Sequence, residues 1–349
     1  MSLVDDVRVR EMGEMPSPLQ LKQKYPLSAQ MMTTVYESRQ LIRRIINGSD
    51  PRLLVVVGPC SVHDIAAAHD YARRLADISA RMRDRMLIVM RVYLEKPRTT
   101  VGWRGLINDP HLDGSFDMGA GLEIARQLLG DITALGLPTA TEMLDPISAQ
   151  YTSDLVVLAA IGARTTESQM HRALASGLSM PVGFKNGTDG SIDVAVHACI
   201  SAAAPHSFLG ITQSGQGAVV KTTGNPDGFV ILRGSRQGSN FDAASVQKTI
   251  DLMHAAKIPP AVMIDCSHAN SGSDYRRQRA VWQAGLALRA TGMRELIGMM
   301  VESNLFEGKQ SIPTDLSHLQ YGVSVTDACV GWDETVAMLE EVYHHVSPS

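Results

Sequence analysis

Four residues able to hold a metal ion stand at or just past the ends of apolar runs: Cys60 closing LLVVVGPC, His268 closing AVMIDCSH, Glu302 in LIGMMVES, and Asp327 in the VTDAC segment that follows. A thiolate, an imidazole and two carboxylates form a mixed donor set that suits one divalent transition metal ion, Mn2+, Fe2+, Co2+ or Zn2+, and suits Mg2+ alone poorly. Each donor has an ordinary structural use when taken singly, because buried cysteines are usually inert and a lone strand-end histidine often only satisfies hydrogen bonds. Their convergence is what argues for a site. Cys266, two residues before His268, shares its strand face but lies deeper, and reads as core filling.

Cations form a second constellation. Arg91, Lys96 and Arg98 lie in RVYLEKPRTT, Arg164 in GARTTES, Lys185 in GFKNGTDG and Arg233 in ILRGS. A charge at the end of an apolar strand is expensive to desolvate unless a counter-charge meets it, and arginine presents a fork matched to phosphate or carboxylate. Salt bridges at a rim would explain one or two such residues; six from four separate run ends imply polyanionic ligands. A metal beside a basic pocket suits Lewis-acid polarisation of a carbonyl while arginines hold a phosphorylated acid. A different chemistry is also open: Lys185, desolvated among cations, could form a Schiff base. That route leaves the Cys/His/Glu/Asp set without a use.

These residues need a frame that gathers run ends in one place. The runs are LLVVVGPC, MLIVMRVY, LPTATEM (carrying Glu142), LVVLAAIGAR, PVGFKN, FVILRG, AVMIDCSH and LIGMMVES. Eight short β-branched runs separated by helix-period segments at 66–82, 118–135, 168–176, 191–204, 242–257, 275–292 and 333–346 predict an α/β TIM (β/α)8 barrel, with its chemistry at the C-terminal strand ends. At 349 residues the chain exceeds the roughly 250 of one such barrel, so extensions are expected on a single domain spanning 1–349. Residues 1–50 read as an N-terminal regulatory or oligomerisation extension: an irregular arm to residue 27, with Pro16, Pro18 and Pro26, then a helix from the N-cap Ser28 to Asn47-Gly48. The barrel proper occupies 51–349, and SFLGITQSGQGAVVKTT at 207–223 reads as an inserted β-hairpin.

A net charge of −4 with dispersed basic residues excludes the patch that nucleic acid or an anionic membrane would require. No apolar run approaches the roughly 18 residues of a membrane span, and the segment containing Asp5, Asp6, Arg8, Arg10 and Glu11 has no signal-peptide core, so a cytoplasmic protein is expected. Four cysteines at 60, 199, 266 and 329 are too few for a disulfide framework and are expected to be reduced.

The segments GPCSVHD, MRVYLEKPRTTVGWRGLINDP, GARTTESQMHR, PVGFKNGTDG, GNPDGFVILRG, IDCSHANS, MVESNLFEG and VTDACVGW occur in this order. Together they closely resemble the microbial type I 3-deoxy-D-arabino-heptulosonate 7-phosphate (DAHP) synthases over nearly the whole chain. The resemblance implies condensation of phosphoenolpyruvate with D-erythrose 4-phosphate, the first step of the shikimate route to aromatic amino acids. It implies that Cys60, His268, Glu302 and Asp327 hold the metal, that Arg91, Lys96, Glu142, Arg164, Lys185 and Arg233 bind phosphoenolpyruvate, and that Lys96, Pro97, Arg98, Thr99 and Asp327 meet erythrose 4-phosphate. Lys96, with Cys60 and His268, carries the catalysis. Asn304 stands where some members have histidine, and Ser235 where glycine is frequent. An aromatic amino acid inhibitor, tyrosine for preference, is implied at Asp5, Asp6, Gln150, Leu178, Ser179, Phe208, Gly210 and Val220; Gly210 marks tyrosine because phenylalanine-selective members tend to carry serine there. A homodimer or homotetramer is expected. Cys60 and Cys329 would be close enough to pair on oxidation of the metal-free protein. The remaining alternative, an idle barrel that only senses a phosphorylated metabolite, predicts a missing ligand or a missing KPRT lysine, and both are present.

Overall fold

The computed structural model describes residues 4–346. Its strands are Leu53–Gly58 (β1), Met86–Arg91 (β2), Thr139–Glu142 (β3), Val156–Ile161 (β4), Val182–Lys185 (β5), Ser207–Ile211 (β6), Gly217–Lys221 (β7), Gly228–Leu232 (β8), Val262–Asp265 (β9) and Leu296–Glu302 (β10). Eight of them close a parallel barrel in the order β1-β10-β9-β8-β5-β4-β3-β2, while β6 and β7 form a separate antiparallel pair. The barrel strands are the eight runs read in the sequence. Alternate residues of β1 show why the runs are apolar throughout: Leu53, Val55 and Val57 pack outward with the helices, and Leu54 and Val56 pack inward with Val89, Ile231, Met263 and Met300.

The helices are Pro18–Lys24 (α1), Ala29–Ile46 (α2), Ile65–Met82 (α3), Met118–Ala134 (α4), Ser148–Thr152 (α5), Gln169–Ala175 (α6), Asp193–Ala203 (α7), Ala243–Ala255 (α8), Gln278–Ala290 (α9), Trp332–Glu340 (α10) and Val342–His345 (α11). Helix α2 begins at Ser28, whose hydroxyl accepts from Met31 N, and ends at Asn47. Its buried Val35, Ile42, Ile45 and Ile46 join the inward cluster and stop the N-terminal end of the barrel. Arg39 ties it there by donating to the carbonyls of Ser153 and Val156 at the start of β4, and Arg43 Nε pairs with Asp227 Oδ2 at 2.5 Å ahead of β8.

The expectation of an irregular arm through residue 27 is corrected by α1. Ser17-Pro18-Leu19-Gln20 is a capping box with proline at the first helical position: Gln20 N donates to Ser17 Oγ (3.3 Å) and Ser17 N to Gln20 Oε1 (2.7 Å). Two predicted helices are each divided. The 275–292 segment opens as a 3-10 turn, Tyr275–Arg277, before α9, and the 333–346 segment breaks at Glu341 between α10 and α11. The hairpin turns through Thr212–Gln216, where Thr212 N donates to Gln216 O at 2.8 Å, and its register places Phe208 opposite Val220 and Gly210 opposite Ala218. Helix α1 sits on that turn: Leu19 N donates to Gln213 O (2.8 Å) and Lys22 Nζ to Gln213 Oε1 (2.9 Å).

Candidate active site

Closure of the barrel brings Cys60, Glu302 and Asp327 together, with one donor atom from each lying within 4.8 Å of the others. Cys60 follows β1, Glu302 ends β10, and Asp327 arrives on the loop after β10, where its amide donates to Cys60 Sγ at 3.4 Å. His268 stands beside this group, with Nε2 3.8 Å from Glu302 Oε1 and Nδ1 2.9 Å from Asp265 Oδ2. The latter contact is an ion-pair approach without hydrogen-bond alignment. A φ of 56° at His268 turns the backbone sharply after β9, a conformation unusual for a residue with a side chain and found where surroundings impose it.

The donor set is fixed by a second layer. Glu302 Oε1 accepts from Arg91 Nη2 (2.8 Å) and Oε2 from Ser267 Oγ (2.8 Å), while Gln278 Nε2 donates to the Glu302 carbonyl (2.9 Å). Burial would raise the Glu302 pKa, but His268, Arg91 and Lys96 overcome it and hold the carboxyl down at about 2. Cys60 goes the other way: burial, reinforced by the charge of Glu302, pushes its thiol up to about 11. A soft sulfur, an imidazole nitrogen and two hard carboxylates in this space fit a borderline divalent transition ion, and a cation there would replace the thiol proton. Cys60 and Cys329 are both buried free thiols, the latter donating to Asp327 O at 3.6 Å.

Above this group opens a cavity of about 900 Å³ whose wall includes Arg91, Lys96, Pro97, Arg98, Thr99, Glu142, Arg164, Lys185, Arg233, His268 and Asp327. The cations expected from the sequence thus converge on one volume. Arg91, fully buried, stacks 3.5 Å from the Tyr93 ring centroid and donates to the carbonyls of Pro59 and Cys60. Burial lowers the Lys96 pKa, but the charges of Cys60 and Glu302 outweigh it and the net shift is upward. Burial lowers Arg233. Glu142 keeps one carboxylate oxygen, Oε1, buried and without a hydrogen-bond partner, and it leans so close to Gly162 that a Cβ there would lie 2.3 Å from that oxygen.

Two features escaped the sequence reading. Asp265, the last residue of β9, pairs with Lys185 Nζ at 2.7 Å and with His268, linking the basic cavity to the donor group. Burial alone would raise its carboxyl, yet His268 and Lys185 hold it well below the usual carboxylate range. A charge inside AVMIDCSH was the available signal. Arg236, together with Ser235 and Gln237, also lines the cavity from the loop after β8.

The residues implied for an inhibitor come from three parts of the chain. Gly210, Phe208 and Val220 of the hairpin meet Gln150 of α5, since a Cβ on Gly210 would lie 2.9 Å from Val220 Cγ2 and 3.7 Å from both Gln150 Nε2 and Phe208 Cε2. Leu178 and Ser179 lie on the turn after α6, where the Ser179 carbonyl accepts from Arg43 Nη2 at 3.4 Å. Asp5 and Asp6 belong to the exposed N-terminal arm, where the Asp6 carbonyl accepts from Val9 N at 3.0 Å.

Comparison with known proteins adds independent observations. Residues 21–340 match the model of the DAHP synthetase I family. The chain is 54% identical over 344 residues to the Tyr-sensitive phospho-2-dehydro-3-deoxyheptonate aldolase of Escherichia coli K12, covering 99% of this chain and 96% of that one. It is 51% identical over 342 residues to the Phe-sensitive enzyme of the same organism, covering 98% and 97%. A solved phospho-2-dehydro-3-deoxyheptonate aldolase from Francisella tularensis SCHU S4 superposes with a TM-score of 0.94 at 48% identity, over 97% of this chain and 98% of that one.

Proposed function

Because the chain belongs to the DAHP synthetase I family, we infer that it condenses phosphoenolpyruvate with D-erythrose 4-phosphate and water. The products are 3-deoxy-D-arabino-heptulosonate 7-phosphate and inorganic phosphate, and the reaction opens the shikimate pathway. The observation that carries the site assignment is the cavity itself: cations from four strand ends face one volume with a Cys/Glu/Asp cluster beside it.

Cys60, His268, Glu302 and Asp327 would hold the metal, whose identity among Mn2+, Fe2+, Co2+ and Zn2+ the donor chemistry leaves to affinity and supply. When bound, it supplies Lewis acidity toward the aldehyde oxygen. Arg91, Arg164, Lys185 and Arg233 hold the carboxylate and phosphate of phosphoenolpyruvate; Arg98 and Thr99, on the loop shaped by Pro97, hold the phosphate of erythrose 4-phosphate. The C3 carbon of phosphoenolpyruvate bonds to the aldehyde carbon, and the aldehyde oxygen takes a proton from Lys96 Nζ, which the ionised Glu302 helps keep as an ammonium. Water then adds at C2 and loses a proton, for which the unpaired Glu142 Oε1 is an available acceptor. The C2–O bond breaks, and phosphate leaves among Arg164, Lys185 and Arg233.

The Schiff-base alternative loses ground here, because the Lys185 amine is engaged by Asp265 at 2.7 Å. Steady-state kinetics with both substrates test the assignment. Arg98→Ala should raise KM for erythrose 4-phosphate, and Arg233→Ala KM for phosphoenolpyruvate, each by about tenfold or more, the scale of a lost charged hydrogen bond. Equal effects of each variant on both KM values would reject it.

Tyrosine is the proposed inhibitor. Gly210 supports this reading by leaving the space beside Val220 and Gln150 free of a side chain, and a relative 54% identical is Tyr-sensitive. The extension and hairpin, joined through Gln213, would form the regulatory and oligomer-forming surface of a cytoplasmic homodimer or homotetramer.

A further inference from the structure

One buried acid in the substrate loop has no part in this chemistry. Glu95 immediately precedes Lys96, yet it does not line the cavity that Lys96, Pro97, Arg98 and Thr99 line. Its side chain turns the other way, is 5% exposed, and accepts at Oε2 from Ser148 Oγ at 2.8 Å. Ser148 is the first residue of α5, and its hydroxyl also approaches the Asp145 carbonyl (3.0 Å); Asp145 Oδ1 in turn accepts from Ile147 N (2.7 Å).

The backbone on both sides of Glu95 is tied to a different segment. Ile107 N donates to Leu94 O (3.1 Å), and Lys96 N donates to Arg104 O (2.8 Å). Between these bonds Gly105, at φ 109°, lies so close that a Cβ would fall 2.6 Å from Glu95 Cα. The loop therefore closes at its stem, and a carboxylate leaves that stem for the β3–α5 segment. Among the described residues Glu95 has no ion pair. Its charged surroundings are Asp145 and Glu142 on the β3–α5 segment, Lys96 beside it in the chain, and Arg104 across the stem, whose side chain is exposed. An acid buried without a cation costs stability, so a neutral residue would fold more cheaply here.

We propose that Glu95 is a positioning residue for the condensation: its carboxylate, held by Ser148, fixes the stem of the Lys96–Thr99 loop against α5 and so sets Lys96 and Arg98 against the aldehyde and phosphate of erythrose 4-phosphate. The inference rests on the reading of that loop given above. Burial first, with Asp145 and Glu142 adding to it, raises the Glu95 pKa to about 7 against the lowering effect of the Ser148 hydrogen bond. An ionised carboxylate is the stronger acceptor, so the tie weakens as pH falls through that value.

The test is steady-state kinetics of the metal-loaded enzyme from pH 6 to 9 for the wild type, Glu95→Gln, Glu95→Ala, Ser148→Ala and Arg98→Ala. Glu95→Ala and Ser148→Ala should raise KM for erythrose 4-phosphate about tenfold while KM for phosphoenolpyruvate stays within twofold. Glu95→Gln, which keeps an acceptor for Ser148 without charge, should match the acidic limb of the wild type at every pH. Subtracting its profile removes the titration of the substrate phosphates. Equal rises in both KM values, or a Glu95→Gln profile that parallels the wild type, would overturn the proposal. If Arg98→Ala itself leaves KM for erythrose 4-phosphate unchanged, the loop assignment has failed; if only the Glu95 and Ser148 variants are silent, the positioning role alone has failed.

Discussion

Asp265 shows how much of the site depends on one pairing. Its carboxylate faces a buried ammonium on one side and His268 on the other. Asp265→Asn would leave Lys185 buried without a counter-charge, a change that costs about 3–5 kcal/mol when one partner of a buried pair is lost. The expected outcome is a clearly lower Tm together with loss of turnover, read by thermal unfolding and phosphate release. The pH dependence has the matching sign. A carboxyl depressed in the folded state contributes stability that is complete above its ordinary value near 4 and is lost as pH falls below that. Acid titration of Tm should therefore fall more steeply for the wild type than for Asp265→Asn. The cluster donors behave differently, since His268→Ala or Cys60→Ala removes a proposed metal ligand at the barrel mouth rather than core packing. Each should abolish turnover with Tm little changed in the metal-free protein. The donors and cations were legible in the sequence because each interrupts the end of an apolar run. Asp265 was legible as a charge but not as a partner, because the residue it pairs with lies 80 positions away on another strand.

At the scale of elements, the barrel strands could be read because burial on both faces demands unbroken β-branched and aliphatic runs, and β1, β4 and β10 supply them. Helix α1 was obscured because Pro16, Pro18 and Pro26 suggested an irregular arm, although Pro18 occupies the one helical position that tolerates proline and Ser17 caps it. Helix α2 acts as a stopper. Ile42 is fully buried among Leu54, Val56 and Val89, so Ile42→Ala should cost about 2–5 kcal/mol and lower Tm without moving either KM. The hairpin carries the regulatory prediction. A serine at 210 would crowd Val220, whose Cγ2 lies 2.9 Å from the new Cβ, and take up the space proposed for the phenol. Gly210→Ser should shift inhibition from tyrosine toward phenylalanine by about 1–3 kcal/mol of discrimination while basal turnover holds, as inhibition curves with each amino acid would report. Strong inhibition of the wild type by phenylalanine, with tyrosine inert at millimolar concentration, would contradict it.

For the molecule as a whole, the fold separates tasks by end. α2 closes the N-terminal mouth, the opposite mouth carries the donors and cations, and the hairpin with α1 forms an added surface. The sequence could announce the opposite mouth because eight runs end in chemistry there. It could not announce which residues of the arm meet which hairpin, since that depends on packing the patterns do not encode. No helix among the described residues is long and apolar enough to cross a membrane. What unites the donors with the cavity is the claim that a metal ion and two phosphorylated substrates act in one place. A phosphate-release assay on metal-stripped enzyme, with each substrate alone and with both, before and after restoring Mn2+, tests it directly. Release should require both substrates and return only with the metal; full turnover of the stripped enzyme, or borohydride trapping of substrate on Lys185, would contradict the account.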